Sequence, residues 1–175
     1  MPIAPAPSNK AESSVAGLTA VPQLKVPNDE GETRVPPQLP AGERLRTVLY
    51  IEDNPANMLL VEQIIARCSD VRLLTAVNGT LGIELARASK PDVILMDINL
   101  PGISGIDALT ILRKETATAH IPIIALSANT KLRDIQLGRE VGFIWYITKP
   151  IKIKEFMKTL NMVLEFSERN HGAHI

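Results

Sequence analysis

The chain has 175 residues, enough for about one domain, and 45% of them are hydrophobic, enough to bury a core. Its 19 basic and 19 acidic residues cancel, which excludes the electrostatic footprint of a nucleic-acid binder and a polybasic membrane patch. The single cysteine, Cys68, excludes an intramolecular disulfide, no apolar stretch approaches the ~20 residues of a membrane span, and the N-terminus lacks a signal-peptide pattern; a soluble, cytoplasmic protein is expected.

Residues 1–46 hold eight of the thirteen prolines and none of the aromatic residues. Proline opposes helix and sheet hydrogen bonding alike, and few large side chains are present to offset the cost of ordering. This segment reads as a disordered Pro-rich linker or tail, the folded domain as 47–167, and 168–175 as a flexible C-terminal tail. From Thr47 the pattern changes. Val48–Ile51 is a first strand, and Met58, Val61, Ile64, Ile65 and Cys68 follow one helical face after the start signals Asn54 and Pro55. Val71–Ala76 is a second strand, and Asn78-Gly79 opens a helix through about Ala88. Val93–Asp97 is a third strand, followed by a Pro101-Gly102 loop and a helix carrying Ile106, Leu109 and Leu112. A fourth strand starts near Ile121, a helix with a thin apolar stripe covers about Lys131–Glu140, and Gly142 ends it. Tyr146–Thr148 is a short fifth strand, and Ile153 to Leu164 marks a strongly amphipathic last helix.

Strict alternation of strand and helix implies a parallel sheet covered on both faces. Glu52-Asp53, Asp97, Ser127 and Lys149 then all fall at strand ends, on the one sheet edge where open α/β sheets place their chemistry. Three carboxylates, a hydroxyl and a lysine gathered there point to metal-assisted phosphoryl chemistry; the bland alternative is a solvated acidic patch.

In this order the chain resembles the receiver domain of two-component response regulators, over roughly Thr47 to Phe166. The motifs that carry the resemblance are the acidic pair after strand one, Asp97 before a Pro-Gly loop, Ser127-Ala128, and Lys149-Pro150. The resemblance implies an α/β, flavodoxin-like (βα)5 three-layer sandwich with strand order 2-1-3-4-5. It implies that Asp97 accepts a phosphoryl group from a phosphohistidine. Glu52, Asp53, Asp97 and the backbone carbonyl of Asn99 would hold Mg²⁺, a hard cation that favours oxygen ligands. Lys149 would offset charge at the site, and a cis peptide is expected before Pro150. Ser127 and Tyr146 would form the switch, with a fixed core tyrosine as the alternative for Tyr146. Asn99 and Asn129 occupy positions that tune dephosphorylation and, being amides, would only orient water. Such a domain is not a conventional enzyme, although it promotes its own phosphorylation and dephosphorylation.

The implied partners are a histidine kinase or histidine phosphotransfer protein, with no nucleic acid and no direct membrane contact. A homodimer or partner is expected on the face built from the helix before strand five, that strand and the last helix. Phe143, Ile144 and Trp145 are the candidate interface residues. Ile144-Trp145 lies in the loop ahead of strand five, where the family commonly carries polar or acidic residues. Trp145 is expected to be an exposed or partly exposed contact residue; its alternative is to fold back over the domain. No output domain is evident after the last helix, which favours the C-terminal receiver of a hybrid sensor kinase over a stand-alone regulator. A phosphorylation-independent pseudo-receiver is a rival. So is a Mg²⁺-dependent aspartyl-phosphate phosphatase, although Asn99 stands where such an enzyme needs a second Asp. His120, His171 and His174 lack neighbouring ligands and are given no metal role.

Overall fold

The computed structural model describes residues 44–128, 136 and 139–172, and every structural statement below concerns these. The Pro-rich linker expected over 1–46 lies outside them except for its last three residues. Arg46 already belongs to the first strand, one residue before Thr47.

Five strands, β1 (Arg46–Ile51), β2 (Val71–Ala76), β3 (Val93–Asp97), β4 (Ile123–Ser127) and β5 (Trp145–Thr148), form one parallel sheet in the order β2-β1-β3-β4-β5. This is the flavodoxin-like order expected from the resemblance. Alternate residues of a strand point to opposite faces, and here each face has its own core. Leu49, Ile51, Ile94, Met96, Ile123 and Ala125 pack on one side with Ala108, Leu109 and Leu112. Val48, Tyr50, Val93, Leu95, Ile124 and Leu126 pack on the other with Val61, Ile64, Phe156 and Leu160. β3 and β4 are therefore apolar up to their last residues, Asp97 and Ser127, as befits strands covered on both faces.

The helices are α1 (Pro55–Ile65), α2 (Gly79–Ser89), α3 (Gly105–Lys114) and a C-terminal helix (Ile153–Gly172). Each of the first three begins on a side-chain cap. Asn54 Oδ1 accepts from the N–H groups of Ala56 (2.9 Å) and Asn57 (3.2 Å). Asn78 Oδ1 accepts from Leu81 N–H at 2.9 Å, and Ser104 Oγ from Asp107 N–H at 3.1 Å. These bonds satisfy donors that a helix start leaves open, and each cap stabilises by about 1 kcal/mol.

Three expectations are corrected. The face that the spacing extends to Cys68 ends at Ile65; Cys68 lies in the following turn, its N–H bonded to Ile65 O at 2.8 Å. The flexible tail expected from residue 168 is helical to Gly172. Glu168 and Arg169 are good helix formers, Ser167 is buried, and Glu168 reaches Arg46 of β1 at 3.7 Å, so contacts with the sheet extend the helix. Strand four begins at Ile123 rather than near Ile121, whose carbonyl is taken instead by an arginine. The helix expected at about 131–140 lies largely outside the described residues; Gln136 and residues 139–141 are helical, and Gly142 follows at φ +120°, where a side chain would be strained.

Arg113 ties this region together. Its guanidinium donates to Ala119 O (2.8 Å), Ile121 O (2.8 Å) and Gly142 O (2.9 Å), joining the end of α3 to the approaches of β4 and β5.

Candidate functional site

The site lies at the carboxyl ends of β1, β3, β4 and β5. Parallel pairing sets it: Ile51 is in register with Met96, Asp97 with Leu126, and Ser127 with Thr148. The last residues of β3 and β4, Asp97 and Ser127, and the first residues beyond β1 and β5, Glu52 and Lys149, therefore meet on one rim. Glu52 and Asp97 are buried, at 1% and 5% exposure, while Asp53 is exposed. One carboxylate oxygen from each of Glu52, Asp53 and Asp97 lies within 4.8 Å of the others, close enough for one ion to meet all three.

Lys149 closes the rim. Its backbone N–H donates to Ser127 O at 2.9 Å, which anchors the end of β5 to β4. Its Nζ donates to Asp97 Oδ2 at 2.5 Å and to Glu52 Oε2 at 2.6 Å, so one ammonium bridges two buried carboxylates. The Lys149-Pro150 peptide is cis, as the resemblance implied. Ser127 ends β4 and is buried beside this group.

Burial would raise Glu52, but the Lys149 ammonium, the Tyr50 hydroxyl and the Asn54 N–H outweigh it and hold the carboxyl below its ordinary value. For Asp97 burial prevails. Bonds from Lys149 and from Asn99 N–H (2.9 Å) pull its carboxyl down, yet desolvation and the Glu52 charge leave it raised. Burial works against the Lys149 charge, but its two carboxylate partners raise it overall. The arrangement is a cation-hungry pocket with one resident ammonium.

Gly105 permits the loop that follows Asp97. A Cβ there would run into the Asp97 carbonyl oxygen and stand 2.8 Å from Ile98 Cα, both backbone atoms that cannot step aside. Gly105→Ala should destabilise the domain by about 1–3 kcal/mol, the usual cost of forced overpacking. An unchanged urea midpoint would refute this.

Tyr146, the expected switch residue, lies in β5 half-buried, its ring 5.7 Å from that of Phe143 in an edge-on arrangement. Its hydroxyl is buried without a hydrogen-bond partner among the described residues. An unmet buried donor costs about 1–3 kcal/mol, so Tyr146→Phe should raise the urea midpoint, by about 1 kcal/mol of stability. A lowered midpoint would show that the hydroxyl is satisfied in solution.

The aromatic cluster is corrected in one member. Phe143, expected as an interface residue, is buried at 3% in the core beside α3 and is not available at the surface. Ile144 and Trp145 are exposed, at 40% and 45%, and Trp145 is the first residue of β5 rather than a loop residue. Asn129 lies outside the described residues. Sequence reasoning passed over one site residue, Tyr50. It is wholly buried, and its hydroxyl donates to Glu52 Oε2 at 2.9 Å. The signal was there: one hydroxyl-bearing ring in an aliphatic strand, two positions before Glu52 and therefore on the same side.

Residues 48–161 match the family described as the response regulator receiver domain. The chain belongs to this family. Among similar curated proteins, PilH of Pseudomonas aeruginosa is 36% identical over 117 residues, 67% of this chain and 96% of PilH. The polar-differentiation response regulator DivK of Brucella anthropi is 36% identical over 119 residues, covering 68% of this chain and 96% of DivK. Among solved structures, the receiver domain of the sensor histidine kinase PA1611 of P. aeruginosa, which holds a magnesium ion in its active-site cleft, has TM-score 0.64 and 29% identity, covering 69% of this chain and 98% of that one. The receiver described here thus shares its fold with a structure that holds magnesium, and it carries an acidic cluster of its own. No helix among its described residues is long and apolar enough to cross a membrane.

Proposed function

We propose that this receiver accepts a phosphoryl group on Asp97 from a phosphohistidine of a histidine kinase or phosphotransfer protein. The observation that carries the reading is the Lys149 ammonium bridging Asp97 and Glu52 on a rim that also holds Asp53. An Asp97 oxygen attacks phosphorus, the phosphorus–nitrogen bond breaks, and the imidazole leaves; the product is an acyl phosphate on Asp97. Later attack by water on that phosphorus returns the carboxylate and inorganic phosphate.

The donor set suits Mg²⁺: all carboxylate oxygens, two buried and one open to solvent, with room to retain water. Glu52, Asp53, Asp97 and the carbonyl of Asn99 would hold it, and when bound it screens the charge between the phosphoryl group and these carboxylates. The protein's own residues do the rest. Lys149 already touches an Asp97 oxygen and is placed to follow charge onto the phosphoryl oxygens, and Ser127 offers a hydroxyl from the end of β4. Asn99 and Asn129 orient the hydrolytic water, and Tyr146 reports the change at Ser127 toward the exposed Ile144-Trp145 surface through a shift between two packed states. That surface is the proposed docking face for a partner or a second copy.

Incubation with acetyl phosphate and Mg²⁺ tests the reading by intact mass. The expected result is a gain of one phosphoryl group, lost on chelation of Mg²⁺ and absent from Asp97→Asn. Unmodified protein under all conditions would favour a phosphorylation-independent interaction module.

A further inference from the structure

Val48–Ile51 of β1 is fully buried, and Tyr50 is the one residue of this stretch with a polar side-chain atom. A leucine or phenylalanine would serve the core as well, and a buried phenol usually needs a hydrogen-bond partner. Tyr50 finds it in Glu52, two residues on and on the same side of the chain, with its hydroxyl 2.9 Å from Oε2. That oxygen also accepts from Lys149 Nζ at 2.6 Å, and the other, Oε1, accepts from Asn54 N–H at 3.2 Å.

A carboxylate has about four lone-pair positions, two on each oxygen. Tyr50 and Lys149 fill both positions on Oε2, and Asn54 fills one on Oε1. We propose that Tyr50 is a positioning residue: it holds Glu52 with a single free position, on Oε1, and so biases the cation site toward Mg²⁺ over Ca²⁺. Ca²⁺ takes six to eight oxygens and uses bidentate carboxylates, whereas Mg²⁺ accepts six at shorter range and keeps several as water. Glu52 with one open position can meet an ion, or an ion-bound water, through one oxygen alone. Without the Tyr50 hydroxyl a position on Oε2 opens, the carboxylate is free to turn about its remaining donors, and a two-oxygen grip on a larger ion becomes available. This inference rests on the proposed Mg²⁺ site and goes beyond it to the choice of ion.

The test is calorimetric titration of the full chain with MgCl2 and with CaCl2, without phosphodonor, comparing the unaltered protein with Tyr50→Phe. The readout is the ratio of the two dissociation constants, which a merely structural role would not move because both ions meet the same fold. The expected result is a shift of the ratio toward Ca²⁺ by roughly tenfold, on the order of the smaller affinity changes that follow loss of a metal ligand's supporting hydrogen bond. In a Glu52→Gln background the same Tyr50→Phe change should leave the ratio where it was. A ratio unmoved by Tyr50→Phe overturns the proposal, as does an equal shift in the Glu52→Gln background. Should Tyr50→Phe fail to fold, Glu52→Asp decides: its shorter arm withdraws from the Tyr50 hydroxyl and should shift the ratio the same way, and no shift overturns the proposal. If the unaltered chain binds no Mg²⁺ at all, the metal reading itself falls; if it binds Mg²⁺ with an unmoved ratio, only the role of Tyr50 does.

Discussion

Lys149→Met should lower the thermal midpoint of the metal-free protein by roughly 10 °C, and Mg²⁺ should restore much of the loss. The Lys149 side chain is 15% exposed, and its ammonium is bonded to both Glu52 and Asp97, which are more deeply buried still. Methionine keeps the length of the stem and removes the charge, leaving two buried carboxylates to face one another. Removing one partner of a buried ion pair costs about 3–5 kcal/mol, and about 1 kcal/mol moves the midpoint of a domain this size by a few degrees. A divalent ion among the same carboxylates supplies the missing positive charge, so saturating Mg²⁺ should raise the midpoint more in Lys149→Met than in the unaltered chain. Differential scanning calorimetry with and without Mg²⁺ checks both parts. Equal Mg²⁺ gains in the two proteins would mean that Lys149 is not the electrostatic stand-in the geometry describes.

Asp97→Asn should have the opposite effect on stability while abolishing phosphoryl transfer. Desolvation, reinforced by the charge of Glu52, holds the Asp97 carboxyl above its ordinary value despite its bonds to Lys149 and Asn99 N–H. A carboxyl whose proton is held more tightly in the folded state contributes stability in full below the unfolded value, about 3.9. That contribution is lost as pH rises through the higher folded value, so at neutral pH the ionised side chain works against the fold. The amide keeps an oxygen for the Asn99 N–H and sheds the charge; its NH2 cannot accept from Lys149, whose ammonium keeps its bond to Glu52. Metal-free Asp97→Asn should therefore melt a few degrees higher at neutral pH, on the order of 1 kcal/mol of relieved burial cost. The gap should close below about pH 4, where Asp97 is protonated in both states. Thermal midpoints across pH, paired with intact mass after acetyl phosphate, read both effects; a midpoint below that of the unaltered chain at neutral pH would contradict the sign.

The rim of the site was legible in sequence because its members are polar residues placed where apolar runs stop. Glu52, Asp97 and Lys149 are each the first residue that a buried parallel strand cannot absorb, or sit next to it, and parallel register brings such positions together. The same logic yields the strand order only with the help of a resemblance, since alternation alone does not say which strands are neighbours. What escaped was set by contacts between distant segments. Phe143, Ile144 and Trp145 are adjacent aromatic or aliphatic residues in a stretch without a period, and only the packed core decides that Phe143 turns in while the next two face out. The helical turn at Glu168 draws on Arg46, more than a hundred residues away. Tyr50 read as one more core residue because its hydroxyl matters only once Glu52 is known to be buried above it.

The Arg113 joint has a consequence for how this receiver responds to its surroundings. Its guanidinium keeps its charge throughout the physiological range even though burial lowers its pKa, and the three oxygens it holds belong to peptide groups, which have no proton to lose. The brace between α3 and the chain leading into β5 is thus indifferent to acidity, while the carboxylate rim at the other end of the sheet is not. A change in pH that alters the charge of the rim therefore leaves unaltered the bonds that hold the opposite ends of β4 and β5.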